Sequence, residues 1–268
     1  MKKKIKSLNP LKATGARKIK TIIFLLALIY TAFGFYWGME PQLPLKGEKL
    51  ETSSAKIVGL ETVSATIDIA KAMLSKPGGY LYNDVFPPGI LMDNIPNWEL
   101  GALVQLRDMV RTLRNNMSRS QSQSTENLNL VSAEGLFYFD NNSWILPSTE
   151  GEYKKGVKEL LAYLNRLKDL EDQNTQFYAR ADNLTIWLSE VETRLGSLSQ
   201  RLSASVGKRQ LDVALAGDSA ARQSTEATVE KTLKTPWLKI DDIFYEARGT
   251  TWALIHLLKQ LKLILQRS

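Results

Sequence analysis

The chain has 268 residues, 44% of them hydrophobic and 24% charged, with no cysteine and a single histidine. Without cysteine there is no disulfide framework, no Cys-ligated metal and no thiol nucleophile, and one histidine excludes any multi-histidine metal site. The net charge of +7 is uneven: residues 1–20 hold eight Lys or Arg and no acid, and the remainder holds 27 against 28 acids. A nucleic-acid-binding domain spreads its positive charge over a folded face, so no specific nucleic-acid partner is expected.

Residues 1–20 read as a short, flexible basic arm. Residues 21–39 then read TIIFLLALIYTAFGFYWGM, nineteen positions without a charge. At about 1.5 Å per residue such a helix measures roughly 28 Å, close to the hydrocarbon thickness of a bilayer. Lys18 and Lys20 flank its start, Glu40-Pro41 closes it, and Tyr36 and Trp37 stand where an interfacial aromatic belt would be. A cleaved signal peptide would have a shorter apolar run and small residues before the cut, whereas Phe33, Phe35, Tyr36 and Trp37 make this exit bulky. The excess of cations before the span places the arm in the cytoplasm and everything beyond residue 40 outside it. Gly34 and Gly38 form a GxxxG pair at the outer end of the span, a weak dimerisation signal.

Residues 40–49, with Pro41-Gln42-Leu43-Pro44, read as a linker, and residues 50–268 as a mostly helical domain. Leu60, Val63, Ile67, Ala70 and Leu74 recur at spacings of three and four, predicting a helix over about 50–76 that Pro77-Gly78-Gly79 stops. Asn97 reads as the N-cap of the next helix, with Glu99 in its first turn and Ala102, Leu103, Leu106, Met109, Val110, Leu113 and Met117 as its stripe. Residues 118–125 are a polar low-complexity loop, and 136–146 suggest two short strands around an Asp-Asn-Asn-Ser turn. Thr149-x-x-Glu152 is a capping box. It opens an apolar repeat with coiled-coil spacing between residues 157 and 202. An unbroken helix over 150–204 would measure about 80 Å; its weak point is Glu171-Asp172-Gln173-Asn174. Residues 205–234 read as an irregular connection. Thr235-Pro236 starts a last helix, whose stripe runs through Trp237, Ile240, Phe244, Ala247, Thr251, Leu254, Leu258, Leu261 and Leu265. That stripe is expected to pack on the 157–202 seam, with Leu188 buried between them. The expected fold is mainly α: one N-terminal transmembrane helix followed by a helical bundle with long coiled-coil-like helices.

Chemistry-bearing motifs are few. Ser53-Ser54-Ala55-Lys56 matches S-x-x-K, but the S-D-N and K-T-G partners of that mechanism are missing from the sequence. His256, with Trp252 and Lys259 on the same side of the last helix, reads as a packed residue. The acid pairs Asp241-Asp242 and Glu150/Glu152 fall in first helical turns, where the helix dipole accounts for them. No catalytic, metal-binding or cofactor-binding residue is nominated, and no cofactor is expected. Residues 77–98 are too aromatic for disorder and too rich in Pro and Gly for regular structure, a combination often found in functional loops. Tyr80, Tyr82, Trp98, Asp84 and Asp93 are therefore the candidate partner-binding residues. The competing reading is a strap that covers the end of the bundle.

The runs NWELGALVQLRDMVRTLRNNMSRSQSQSTE, FDNNSWILPSTEGEYKKG, QFYARADNLTIWL with LGSLSQRLSASVG, and TPWLKIDDIFYEARGTTWALIHLL resemble an uncharacterised family of bacterial inner-membrane proteins, catalogued as domain of unknown function twenty-three thirty-three. The resemblance covers nearly the whole chain after the anchor. It implies a Gram-negative source and a periplasmic body, and transfers no activity or site residue. The expectation is a single-pass inner-membrane protein that acts as a non-enzymatic scaffold or interaction protein of the cell envelope, in contact with the lipid bilayer and a protein partner, with homo-oligomerisation left open. The alternative is an envelope enzyme or its regulator, acting on peptidoglycan or lipid through the 77–98 loop.

Overall fold

The computed structural model describes residues 10–41, 57–119, 125–169, 171–172, 174–209 and 232–265. Ser53 to Lys56, all but the first two residues of the 40–49 linker, and most of the 118–125 and 205–234 connections lie outside the described residues.

Helix α1 (Pro10–Trp37) contains the apolar run and is long and apolar enough to cross a membrane over Arg17–Trp37, with only Gly34 and Trp37 of that stretch partly covered by the protein. It begins well before the uncharged run, so the arm expected to be flexible is helical from Pro10 on. Helix α2 (Leu60–Ser75) follows Gly59, whose positive φ of 86° and contact with the Phe177 ring leave no room for a side chain. Helix α3 (Asn94–Thr112) starts earlier than expected. Asp93, not Asn97, is its N-cap, accepting from Asn94 N at 2.9 Å, and the Asn97 amide donates back to Asp93 O. Pro96 is tolerated because the first-turn N–H groups of a helix have no intrahelical acceptor. The helix runs on into a single π turn, Leu113–Met117.

The strands expected over 136–146 do not form. Helix α4 (Leu128–Phe137) takes Leu136 and Phe137, with Asn127 capping it, and the chain then winds irregularly around Thr149, whose hydroxyl donates to Asp140 O at 2.8 Å. Helix α5 (Thr149–Lys168) is capped one residue earlier than the predicted box, by Ser148 accepting from Gly151 N.

The long seam is broken where its weak point lies. Asp169 and Asp172 fold onto the backbone N–H groups of Glu171 and Asn174, and Arg166 donates to Asp172 at 2.8 Å. Helix α6 (Ala181–Ser205) therefore starts afresh and runs antiparallel to α3, joined by Asn183 to Asn116 O at one end and Arg194 to Asp108 at the other. Its inward residues are Trp187, Val191 and Leu198, while Leu188, expected to be buried, is 41% exposed.

Helix α7 (Ile240–Leu265), preceded by the 3-10 turn Trp237–Lys239, also departs from expectation. Its main partner is α3 and not the 157–202 seam. Gly101 and Gly249 explain this. A methyl group on Gly101 would overlap Glu246 O, and one on Gly249 would overlap Trp98 O, so only glycine lets the two backbones meet. Trp98 and Trp252 then close the core with ring centroids 4.9 Å apart. A two-residue antiparallel pair, Lys208–Arg209 with Thr232–Leu233, is the only strand pairing among the described residues.

Candidate functional site

The segment between α2 and α3 is organised around a charge pair that the sequence reading did not single out. Lys76 caps the C-terminus of α2, and its ammonium lies 2.7 Å from Glu99 Oε1, both side chains fully buried. The Lys76 ammonium also donates to Gly79 O at 2.6 Å. Gly78 and Gly79 take φ of 82° and 74°, which bends the chain back over its own lysine. Glu99 receives Leu81 N at 2.9 Å and Tyr82 N at 2.8 Å, so its carboxylate terminates two loop amides as well as the ion pair. Burial pushes Glu99 up to about 7, against the pull of Lys76 and of the loop N–H groups, and lowers Lys76, against the pull of Glu99. With its oxygens occupied by these donors and no solvent contact, this carboxylate organises the loop; it is not presented to a substrate.

The loop is stitched to the 138–150 segment. Tyr80 enters the core edge-on to Tyr153, centroids 5.6 Å apart, and donates to Asn141 O; burial raises its phenol well above the usual range. Asn83 donates to Ser143 O at 2.7 Å and to Glu150 at 3.0 Å. Arg107 of α3 donates to Phe137 O, Phe139 O and the Tyr153 hydroxyl. Of the five residues predicted to form a recognition surface, Tyr80 anchors the loop in the core and Trp98, on α3, is buried against Trp252 of α7. Tyr82 and Asp84 line a shallow depression with Met92, Asn97, Asn141 and Asn142. Asp93 is exposed beside it, engaged in capping α3.

The same strap meets the end of α1. A methyl on Gly78 would come within 2.8 Å of Trp37 Cγ, one on Gly38 within 3.5 Å of Met92 Cε, and one on Gly34 within 3.9 Å of Pro88 Cβ. Just beyond the helix, Glu40 pairs with Arg248 of α7 at 2.9 Å. The GxxxG glycines thus face the strap of their own chain.

A second concavity, of about 400 Å³, lies between α2, α5 and α7 and includes Asp68, Lys71, Asn165, Lys168 and His256. His256 packs edge-on to Trp252, and burial lowers its pKa, with Lys259 adding to the effect. Among the described residues, no three His, Asp or Glu side chains gather as a metal site.

Residues 12–266 match the model of a family described as uncharacterized protein conserved in bacteria, DUF2333. No curated protein and no solved structure matches the chain.

Proposed function

Because the chain belongs to that bacterial family, DUF2333, we propose that it is a single-pass inner-membrane protein whose helical domain stands on the periplasmic face as a scaffold or interaction module of the cell envelope. The observation that carries this reading is the docking of the anchor. Trp37, Gly38 and Glu40 meet the strap and α7 through packing and an ion pair, so the domain is presented to the bilayer in one orientation. A rigidly oriented domain suits assembly, where partners must be met at a fixed height above the membrane. The rim formed by Tyr82 and Asp84 is its nominated contact surface. The alternative, an enzyme working through the same loop, finds less support, since Glu99 is committed to the strap.

The test is site-specific photocrosslinking of full-length protein in its own membranes. A photoreactive residue at Tyr82 should give a discrete adduct with an envelope protein, and Asp84→Ala should remove it without lowering protein level. Adducts only with lipid, or an adduct unaffected by Asp84→Ala, would count against the reading.

A further inference from the structure

One stretch of exposed apolar residues sits beside the outer end of α1, and a second meets it. Residues 85–92, VFPPGILM, carry no charge, and Val85, Phe86, Ile90 and Leu91 all face solvent, Leu91 with 72% of its surface. Residues 143–149, SWILPST, are also uncharged, and Trp144, Ile145 and Leu146 are exposed, Leu146 at 89%. The Phe86 and Trp144 rings meet edge-to-face at 5.4 Å, which joins the stretches into one patch. A contiguous apolar patch on a protein surface marks an interaction site; its height on the anchor indicates what it meets.

That height follows from the contacts with α1. Met92 lies against Gly38, and Pro88, four residues back, lies against Gly34. The loop thus descends along α1 by about one helical turn. Helix α1 ends at Trp37, and the uncharged run ends at Met39, before Glu40. Gly34 is three residues inside Trp37, about 4.5 Å along the axis at 1.5 Å per residue. Interfacial apolar segments lie roughly 5–10 Å into the boundary between headgroups and acyl chains. We infer that residues 85–91 and 144–146 form an apolar foot that rests in the outer leaflet of the bilayer crossed by α1, so that the domain touches the membrane through the foot as well as the anchor. The inference rests on the reading of α1 as a span.

The occupant is lipid and not a second protein because of this level. Any molecule covering Pro88 shares the depth of Gly34 with the acyl chains. Of the flanking acids, Asp84 lies over Gly89 and Asp93 caps α3. Trp144 supplies the amphipathic ring favoured at such a boundary.

The chain contains no cysteine, so a single introduced cysteine can carry an environment-sensitive fluorophore. Full-length Phe86→Cys and Ile145→Cys, each labelled, would be reconstituted into phosphatidylethanolamine–phosphatidylglycerol vesicles containing a lipid with a doxyl quencher near its headgroup. Leu26→Cys within α1, paired with a quencher near the bilayer centre, reports the span. Leu128→Cys, an exposed leucine at the start of α4, reports the aqueous face. The foot predicts blue-shifted emission and loss of intensity with the shallow quencher at both 86 and 145, and an aqueous, unquenched signal at 128. Since both tested side chains are exposed, either variant alone can decide if the other fails to fold. Aqueous emission at 86 and 145 with quenching at 26 would overturn the foot and leave the span standing. A blue shift without quenching would assign the patch to a second protein surface and also overturn it. An unquenched label at 26 would remove the span reading, and the foot with it.

Discussion

The Lys76–Glu99 pair makes a sharp energetic prediction. Neither side chain reaches solvent, and breaking a buried pair by removing one partner costs about 3–5 kcal/mol, because a charge is left without compensation. Lys76→Met leaves Glu99 with only the Leu81 and Tyr82 N–H groups. Burial already holds Glu99 near 7, so the carboxyl can escape part of the penalty by taking up a proton. The loss at pH 6 should then lie near the low end, about 3 kcal/mol, and grow by up to about 1.4 kcal/mol per pH unit above neutrality. Glu99→Gln should cost less than Lys76→Met at pH 7, since a Glu99 held near 7 is already partly neutral beside the Lys76 ammonium. The double variant Lys76→Met with Glu99→Gln carries no buried charge and keeps a carbonyl for the two loop amides. It should lose only about 2 kcal/mol, the scale of a charge-assisted hydrogen bond, and so be more stable than the Lys76→Met protein. Urea unfolding of the full-length protein in detergent, followed by tryptophan fluorescence, reads all four corners of this cycle. A double variant at the sum of the singles would refute the reasoning, as would a Lys76→Met protein within about 0.5 kcal/mol of the parent.

Further expectations follow from the packing and the titrating groups. Gly249→Ala should cost about 1–3 kcal/mol or more by forcing α7 off α3, whereas Gly135→Ala, with open space around it, should not destabilise; paired melting curves compare them. Leu188→Asp should change stability by less than about 0.5 kcal/mol, because that side chain faces outward, while Trp187→Ala one residue earlier should cost about 3–5 kcal/mol; equal losses would contradict the observed face of α6. Glu99 is held above its ordinary 4.5, so the folded chain keeps a proton that the unfolded chain releases, and this group's contribution falls as pH rises from 4.5 to about 7. His256, held below 6.5, acts with the opposite slope, so the Glu99 contribution is measured as the difference between parent and Glu99→Gln, which should shrink across that window.

Periodicity carried the reading of helices far and failed where it could not see partners. The stripe of α3 named the core residues, and the acidic, amide-rich tract after α5 marked a break that Asp169 and Asp172 do make. The a/d spacing nevertheless continues across that break, because Phe177 and Ala181 fall in register while the chain between α5 and α6 is not helical; Phe177 packs on Gly59 instead. No pattern of leucines could reveal that α7 belongs with α3, since that choice rests on Gly101 and Gly249, which contribute no side chain. The ion pair was legible in principle. Glu99 lies three and four residues before Ala102 and Leu103, and Lys76 three after Met73, so each stands within an apolar stripe where a solvated charge would not. Reading Glu99 only as a dipole partner hid this. Tyr80 and Trp98 illustrate a related ambiguity: aromatic content suits a recognition surface and a buried strap equally, and both of these rings are buried.

The docking of the anchor on the strap is tested most directly by an engineered disulfide. Gly34 and Pro88 would place their Cβ atoms 3.9 Å apart, within the 3.5–4.5 Å of ordinary disulfides, in a chain with no other cysteine. The Gly34→Cys, Pro88→Cys protein should form an intramolecular disulfide when membranes are treated with a membrane-permeant oxidant, because the two positions adjoin at the outer end of α1. It should then appear as one cross-linked peptide by mass spectrometry after proteolysis between the two positions. Free thiols that persist after that treatment, or bonds found only between two chains, would contradict the account.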